Sequence, residues 1–274
     1  MVEVAALDLG ATNFRARIGR DDNSRTGAIT LPNFDCAERE FEVLASWLEQ
    51  FAANASLVGC VLASAPNVAG GRITSWPNRP HWNGLALKSR LEAVLNCKVD
   101  VVTDGGAAAV ADAFALSVGD LISVVVGTGI GAGIVANGDL LSGASGRAGE
   151  VGHIIVGPAD GPACVCGRNG CLQAYFRPLA PDEPWSGAVL EAFARTLVNL
   201  SEMFDPQIIC LSGGRSEVLV RSWAEIEARC ETLTRAGQSM PRLVRSRHPH
   251  DAPLTGAYLL AMRALEKTPL AAKG

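Results

Sequence analysis

The sequence predicts an α/β protein of two lobes built by duplication, with a small metal knuckle in the second lobe. Short apolar runs alternate with amphipathic stretches along the chain, the order of strands and helices in an α/β protein. A strand, a glycine-rich tip and a returning strand occur over Val2 to Ile18 and again over Leu121 to Val135. Glu150 to Cys171 reads EVGHIIVGPADGPACVCGRNGC, so Cys164, Cys166 and Cys171 fall within eight positions and His153 lies eleven residues before Cys164.

Composition narrows the classes of function. At 274 residues the chain can bury a large core, in one domain or two lobes. Apolar residues at 48% and charged ones at 19% give the balance of a globular protein. A net charge of −4 argues against the basic stripe of a nucleic-acid partner, whereas a phosphorylated ligand needs only a few local donors. No apolar run reaches the ~18 residues of a membrane span and no signal-peptide pattern opens the chain, so no membrane partner is expected. Outside the knuckle, Cys36, Cys60, Cys97, Cys210 and Cys230 stand singly among apolar neighbours. They read as reduced core thiols, and a cytoplasmic location is expected.

Val2 to Leu9 is a β-rich run ending in Asp8-Leu9-Gly10-Ala11-Thr12-Asn13, and Phe14 to Ile18 alternates as a returning strand. Such a tip offers backbone N–H groups and a hydroxyl to a phosphate, and Asp8 could hold Mg²⁺ there, directly or through water. An ordinary polar hairpin reads the same way. Arg15 and Arg17 are either surface charges or point toward that phosphate. Cys36 to Asn54 carries Phe41, Leu44, Leu48 and Phe51 at helical spacing, Leu57 to Ala63 is a short strand, and Ser64 to Asn67 is a turn. Ile73 to Trp82 is a loop dense in Pro, Trp and Asn. It can wall a pocket with stiff aromatics and the amide of Asn78, or serve as a surface turn over buried tryptophans. Leu85 to Leu95 is a helix and Val99 to Val102 a strand. Asp104 stands at the end of that strand, ahead of Gly105, Gly106 and an alanine-rich helix starting at Ala107. A carboxylate there sits where ligands of open α/β sheets gather, and equally where a plain N-cap sits.

The strand Leu121 to Val126 runs into Gly127-Thr128-Gly129-Ile130-Gly131-Ala132-Gly133. The spacing hints at a dinucleotide-binding turn, but that motif must open a helix, and here Ile134-Val135 continues as a strand to an Asn137-Gly138 hairpin turn. No Walker pattern occurs, so phosphate is expected to be cradled by the two hairpins. In the knuckle, three thiolates and one imidazole complete the tetrahedral shell of a closed structural Zn²⁺ site, with Gly167 and Gly170 where the chain turns sharply. Buried free thiols and a disulfide are the poorer alternatives. Arg177 to Trp185 is a Pro-rich connection, Val189 to Met203 a helix stopped by Asp205-Pro206, and Ile208 to Leu211 a strand turned by Gly213-Gly214. Helices from Ala224 and over Leu254 to Ala264 close the chain. The loop with His248, Pro249 and Pro253 has no assignment.

The E-x-G-H of Glu150 to His153, followed by C-x-C-G-x-x-G-C, resembles the signature of the ROK family of repressors, open reading frames and sugar kinases. The resemblance runs from Asp8 to about Gly214 and takes in the closing helix. It implies the two-lobed, duplicated actin-like ATPase (ribonuclease H-like) fold, with lobes at 1–102 and 103–274 and the last helix (254–264) packed back on the first. It implies that Asp104 is the catalytic base, in a segment where the family reads N-D-A-N-A-A-A and this chain reads Thr103-Asp104-Gly105-Gly106-Ala107-Ala108-Ala109. Substrate contacts are implied for Asn78, Thr103, Asp104, Glu150, His153 and Gln173, the last standing where the family's C-x-E places a glutamate. ATP with Mg²⁺ is implied at Asp8, Gly10, Ala11, Thr12 and Asn13 and at Gly127, Thr128, Gly129 and Gly131, with Gly213 and Gly214 beside the adenosine. Structural Zn²⁺ is implied on His153, Cys164, Cys166 and Cys171. The implied partners are a small-molecule sugar and a nucleotide, in a homodimer.

Family repressors carry a winged helix-turn-helix ahead of the first hairpin, which this chain reaches by residue 8. An enzyme phosphorylating the 6-hydroxyl of a glucose-like hexose or aminohexose is therefore expected over a repressor. The alternative is a sugar-binding or regulatory protein that keeps the fold with weak or no transfer, and polyphosphate stays open as a donor. The departures at Thr103, Gly106 and Gln173 point to a substrate other than plain glucose, or to broad specificity.

Overall fold

The computed structural model describes residues 2–127, 129–180, 182–247 and 251–267. They fall into two compact units. One takes the chain up to Ala111, the short piece Gly143–Gly146 and the segment from Asp251 onward; the other takes Asp112–Ser142 and the stretch from Arg147. The first unit runs β1 (Glu3–Leu9), β2 (Asn13–Arg20), β3 (Asn23–Thr30), α1 (Ala37–Phe51), β4 (Leu57–Ser64), β5 (Asn67–Ala69), β6 (Arg72–Ser75), α2 (Leu87–Leu95) and β7 (Val99–Thr103) into α3 (Asp104–Leu116). The second runs β8 (Leu121–Val126), β9 (Ile130–Ala136), β10 (Asp139–Leu140), α4 (Leu172–Phe176), α5 (Gly187–Phe204), β11 (Ile208–Ser212), α6 (Ser216–Arg221), α7 (Trp223–Leu233) and β12 (Arg242–Arg245). The final helix, α8 (Ala252–Lys267), belongs to the first unit.

Each unit holds one five-stranded sheet, ordered β3-β2-β1-β4-β7 in the first and β10-β9-β8-β11-β12 in the second. In both, the first three strands of the order are antiparallel and the last two add in parallel. The duplication expected from the two glycine-tipped hairpins is therefore present strand for strand.

Strand β1 shows how the period of two sorts the first unit's core. Ala5, Leu7 and Leu9 pack with Phe41, Leu44 and Leu48 of α1 and Leu87 and Leu91 of α2. Val4 and Ala6, on the other face, pack with Leu254, Ala257 and Tyr258 of α8 and with Ala107 of α3. Asp8 falls on this second face. Helix α8 approaches α3 so closely that a Cβ on Gly256 would overlap the Ala107 carbonyl. In the second unit, Ile122, Val124 and Val126 of β8 pack with Val189, Phe193 and Leu197 of α5. Phe176, Trp185 and Phe193 meet there in edge-on contacts of 4.8, 5.1 and 5.8 Å, the arrangement aromatic quadrupoles favour.

Several elements differ from the sequence reading. β3 and β12 carry too few buried residues to announce themselves; both are polar edge strands recruited by backbone pairing. The loop expected from Ile73 begins inside β6, which pairs with β5 as a two-stranded ribbon. Helix α3 starts at Asp104 rather than Ala107, because the N–H groups of a first turn need no intrahelical partner and two glycines cost little there. Of the expected loop residues, His248 and Pro249 lie outside the described residues, whereas Pro253 falls in the first turn of α8, where a missing N–H costs no helical bond. No helix among the described residues is long and apolar enough to cross a membrane.

Candidate active site and metal cluster

In the first unit, Leu9 stands opposite Ser64 and Ser64 opposite Thr103. The tip after β1 and the start of α3 after β7 therefore leave the sheet at one edge, the carboxyl ends of its parallel strands, where α/β sheets collect ligands. Asp104 opens α3 and is exposed. Its Oδ1 accepts the Gly105 N–H at 2.7 Å, while Thr103 Oγ1 accepts the Gly106 N–H at 3.0 Å. Thr103 thus provides the side-chain cap, so capping alone does not account for a carboxylate at Asp104.

Asp8 is 5% exposed. Arg15 Nε donates to its Oδ2 at 2.8 Å and another Arg15 nitrogen reaches Asp251 Oδ1 at 2.9 Å. Burial pushes the Asp8 carboxyl up, and the Arg15 guanidinium only partly offsets this. Arg17 lies over the Tyr258 ring at 3.9 Å and donates to Ser24 Oγ at 2.9 Å. Both arginines are thus engaged inside the unit. At the tip, Gly10 N–H donates to Asn13 O at 3.0 Å and Leu31 N–H to Thr12 O at 2.8 Å, with Thr12 and Asn13 exposed.

Asn78 is exposed, and the residue after it anchors its loop. Arg79 Nε donates to Ala11 O at 2.9 Å, Nη1 to Pro32 O and to Glu40 Oε2, both at 2.6 Å, and Nη2 to Leu31 O at 3.2 Å. Glu40 is fully buried. It also accepts Trp82 Nε1–H at 2.6 Å and Phe34 N–H at 2.8 Å, and its Oε1 lies 3.0 Å from His81 Nε2. Burial alone would raise the Glu40 carboxyl, but the bonds from Trp82, His81, Phe34 and Arg79 outweigh it and hold it at about 2. The sequence reading missed this cluster. The available signal was a carboxylate at Glu40 in the same helical stripe as Leu44 and Leu48.

In the second unit, Gly127 N–H donates to Gly129 O at 2.8 Å and Ile130 N–H donates to Gln173 Oε1 at 2.7 Å. Gln173 thereby ties the start of α4 to the glycine-rich tip. Ser212 pairs with Val125, so Gly213 and Gly214 leave the sheet beside Gly127. Gly213 has φ of +108°, and a Cβ there would overlap the Val126 carbonyl. Arg215, 8% exposed, donates through Nε to Gly127 O at 3.2 Å and through its other nitrogens to Ala180 O at 3.2 Å and Leu179 O at 2.8 Å. Gly131 is half-buried, Gly129 and Glu150 are exposed, and Glu150 precedes the single turn Val151–His153. Thr128 lies outside the described residues.

That turn presents His153 to the knuckle. Cys164 Sγ lies 3.6 Å from His153 Nδ1 and Cys166 Sγ 3.6 Å from Cys171 Sγ. The four ligand atoms all lie within 4.8 Å of one another. A tetrahedron with Zn–S near 2.3 Å has edges of about 3.8 Å, so the donor set and its spacing fit Zn²⁺. Gly167 and Gly170 hold φ of +85° and +70°, and a Cβ on Gly170 would sit 2.9 Å from the Gly157 and Pro158 carbonyls. Hydrogen bonds from Arg168 pull the Cys166 thiol down to about 6, whereas burial pushes Cys171 up to about 11. All eight cysteines are free.

Residues 4–178 match the ROK family. N-acetylmannosamine kinase of Shigella boydii is 30% identical over 287 aligned residues, covering 93% of this chain and 97% of that kinase. Kanosamine kinase of Amycolatopsis mediterranei is 31% identical over 199 aligned residues, covering 62% of this chain; this chain spans 65% of that kinase's length. The crystal structure of the ROK hexokinase from Thermus thermophilus superposes with a TM-score of 0.75 at 26% identity, over 97% of this chain and 100% of that one. With the duplicated sheets and the His-Cys₃ knuckle in place, the family match over most of the chain settles its membership: the chain belongs to the ROK family.

Proposed function

We propose that the protein is a sugar kinase that transfers the γ-phosphoryl group of ATP to the primary (6-) hydroxyl of a glucose-like hexose or aminohexose. The observation that carries this reading is the shared sheet edge in the first unit, from which a glycine tip suited to phosphate and an exposed carboxylate both emerge. The names of the relatives, kinases of N-acetylmannosamine and of kanosamine, support a sugar as acceptor. Asp104 accepts the proton of the attacking hydroxyl, a role for which an exposed carboxylate within reach of substrate is suited. The tips at Gly10–Asn13 and at Gly127, Thr128, Gly129 and Gly131 face the phosphates, the N–H groups of Gly10 and Gly127 bracing the tips through Asn13 O and Gly129 O rather than serving the ligand, and Gly213 and Gly214 lie beside the nucleoside. Mg²⁺, when bound near Asp8, supplies charge neutralisation.

Asn78, Thr103, Glu150, His153 and Gln173 contact the sugar in this reading. His153 with Cys164, Cys166 and Cys171 holds structural Zn²⁺, which fixes the E-x-G-H turn that carries Glu150. Gln173 commits its carbonyl oxygen to Ile130, so toward a ligand its amide is a donor where a glutamate would be an acceptor. That favours a ring substituent whose oxygen accepts over an ammonium group, which can only donate.

ATP consumption against a panel of hexoses and aminohexoses tests the reaction, with phosphorus NMR reporting the position modified. Asp104→Asn should lower kcat by about 10²–10⁴-fold and leave sugar affinity nearly unchanged. Parental turnover in that variant would leave Asp104 without a role in catalysis.

A further inference from the structure

Each glycine-tipped hairpin has a buried arginine bonded to one of its tip carbonyls. In the first unit Arg79, 6% exposed, donates to Ala11 O; in the second Arg215, 8% exposed, donates to Gly127 O. Neither arginine lies in the hairpin it holds, the separations being 68 and 88 residues. Arg79 follows Asn78 and Arg215 follows Gly213-Gly214, so each also belongs to a loop assigned to substrate or nucleotide. We propose that Arg79 and Arg215 are positioning residues that set the orientation of the two phosphate-binding tips and couple each tip to its neighbouring ligand loop.

The physical reason lies in the trans peptide, whose C=O and N–H point in opposite directions. Holding the Ala11 carbonyl against Arg79 aims the Thr12 N–H away from Arg79. The Leu31 N–H holds the Thr12 carbonyl in the same way, which aims the Asn13 N–H outward. A tip so fixed faces a phosphate with donors and keeps its carbonyl oxygens, which would repel it, turned inward. Donors fixed before the ligand arrives need no reorganisation during the reaction. A guanidinium suits this task because its planar fork bonds several carbonyls at set angles. Arg79 reaches the carbonyls of Ala11, Leu31 and Pro32 and is neutralised by Glu40; Arg215 reaches those of Gly127, Leu179 and Ala180. Neither is therefore arranged as a direct phosphate ligand.

Arg79→Lys and Arg215→Lys keep the charge and remove the fork. The hydrogen-bonded amides of Gly10, Leu31 and Gly127 report the tips by hydrogen exchange in the ligand-free protein. Exchange at Gly10 and Leu31 in Arg79→Lys, and at Gly127 in Arg215→Lys, should accelerate at least tenfold, with the amides of β1 and β8 unchanged. The kinetic arm rests on the kinase reading: KM for MgATP should rise, and kcat/KM fall, by about ten- to a hundredfold. Uniform acceleration across a unit, or parental exchange at the tips, overturns the proposal. If Arg79→Lys does not fold, the Glu40→Met, Arg79→Met pair replaces the ion pair with apolar groups and removes the same tip bond. A parent that consumes no ATP with any sugar refutes the kinase reading while exchange still judges the arginines.

Discussion

Replacing Glu40 by Ala should destabilise the first unit more than any exposed substitution, and its magnitude follows from what the carboxylate holds. The change leaves the Arg79 guanidinium buried without its counter-ion and removes the acceptor of Trp82 Nε1–H and Phe34 N–H. Breaking one partner of a buried pair costs about 3–5 kcal/mol, because the surviving charge stays desolvated. At about 2–4 °C per kcal/mol for a chain of this size, the unfolding midpoint should drop by roughly 10 °C. Acid gives an independent measure. The Glu40 carboxyl has an ordinary value of 4.5 and is held at about 2 in the fold. A depressed carboxyl contributes its stability above its unfolded value and loses it as pH falls toward the folded one. The gap corresponds to about 3 kcal/mol at neutral pH, of which about 1 kcal/mol is lost by pH ~3.5. Urea midpoints at pH 7 and pH ~3.5 should therefore converge between the parent and Glu40→Gln as the solution is acidified. If Glu40→Ala unfolds within ~1 kcal/mol of the parent at pH 7, or if the difference from Glu40→Gln does not shrink in acid, the network does not stabilise the unit as argued.

The knuckle should carry one zinc per chain by elemental analysis, and Cys171→Ser should lose it together with stability, since structural zinc binding is folding energy; zinc retained at full stoichiometry in that variant would refute the ligand set. Gln173→Glu should keep the bond from the Ile130 N–H, because a carboxylate accepts as well as an amide. It should also raise kcat/KM for glucose relative to N-acetylated aminohexoses, by about ten-fold for one hydrogen-bond reversal. An unchanged ratio would remove Gln173 from the specificity argument.

Much of the architecture was legible in the chain because its signals are local. The knuckle is four ligands within nineteen positions, and its glycines sit where positive φ is needed. The glycine-tipped hairpins are contiguous, and Asp104 is marked by the strand it ends. Alternation in β1 and the stripe of Phe41, Leu44 and Leu48 in α1 fix which faces are buried, since apolar burial acts residue by residue at a short period. Edge strands β3 and β12 carry no such pattern, for backbone pairing rather than side-chain burial recruits them. The tertiary structure alone decided the long-range polar contacts. Glu40 meets Arg79 across 39 residues and Arg215 meets Gly127 across 88. A charged residue in a sequence reads as surface until a partner is seen, because burying a charge is favourable only with its counter-ion and hydrogen bonds in place, and those arrive from distant segments.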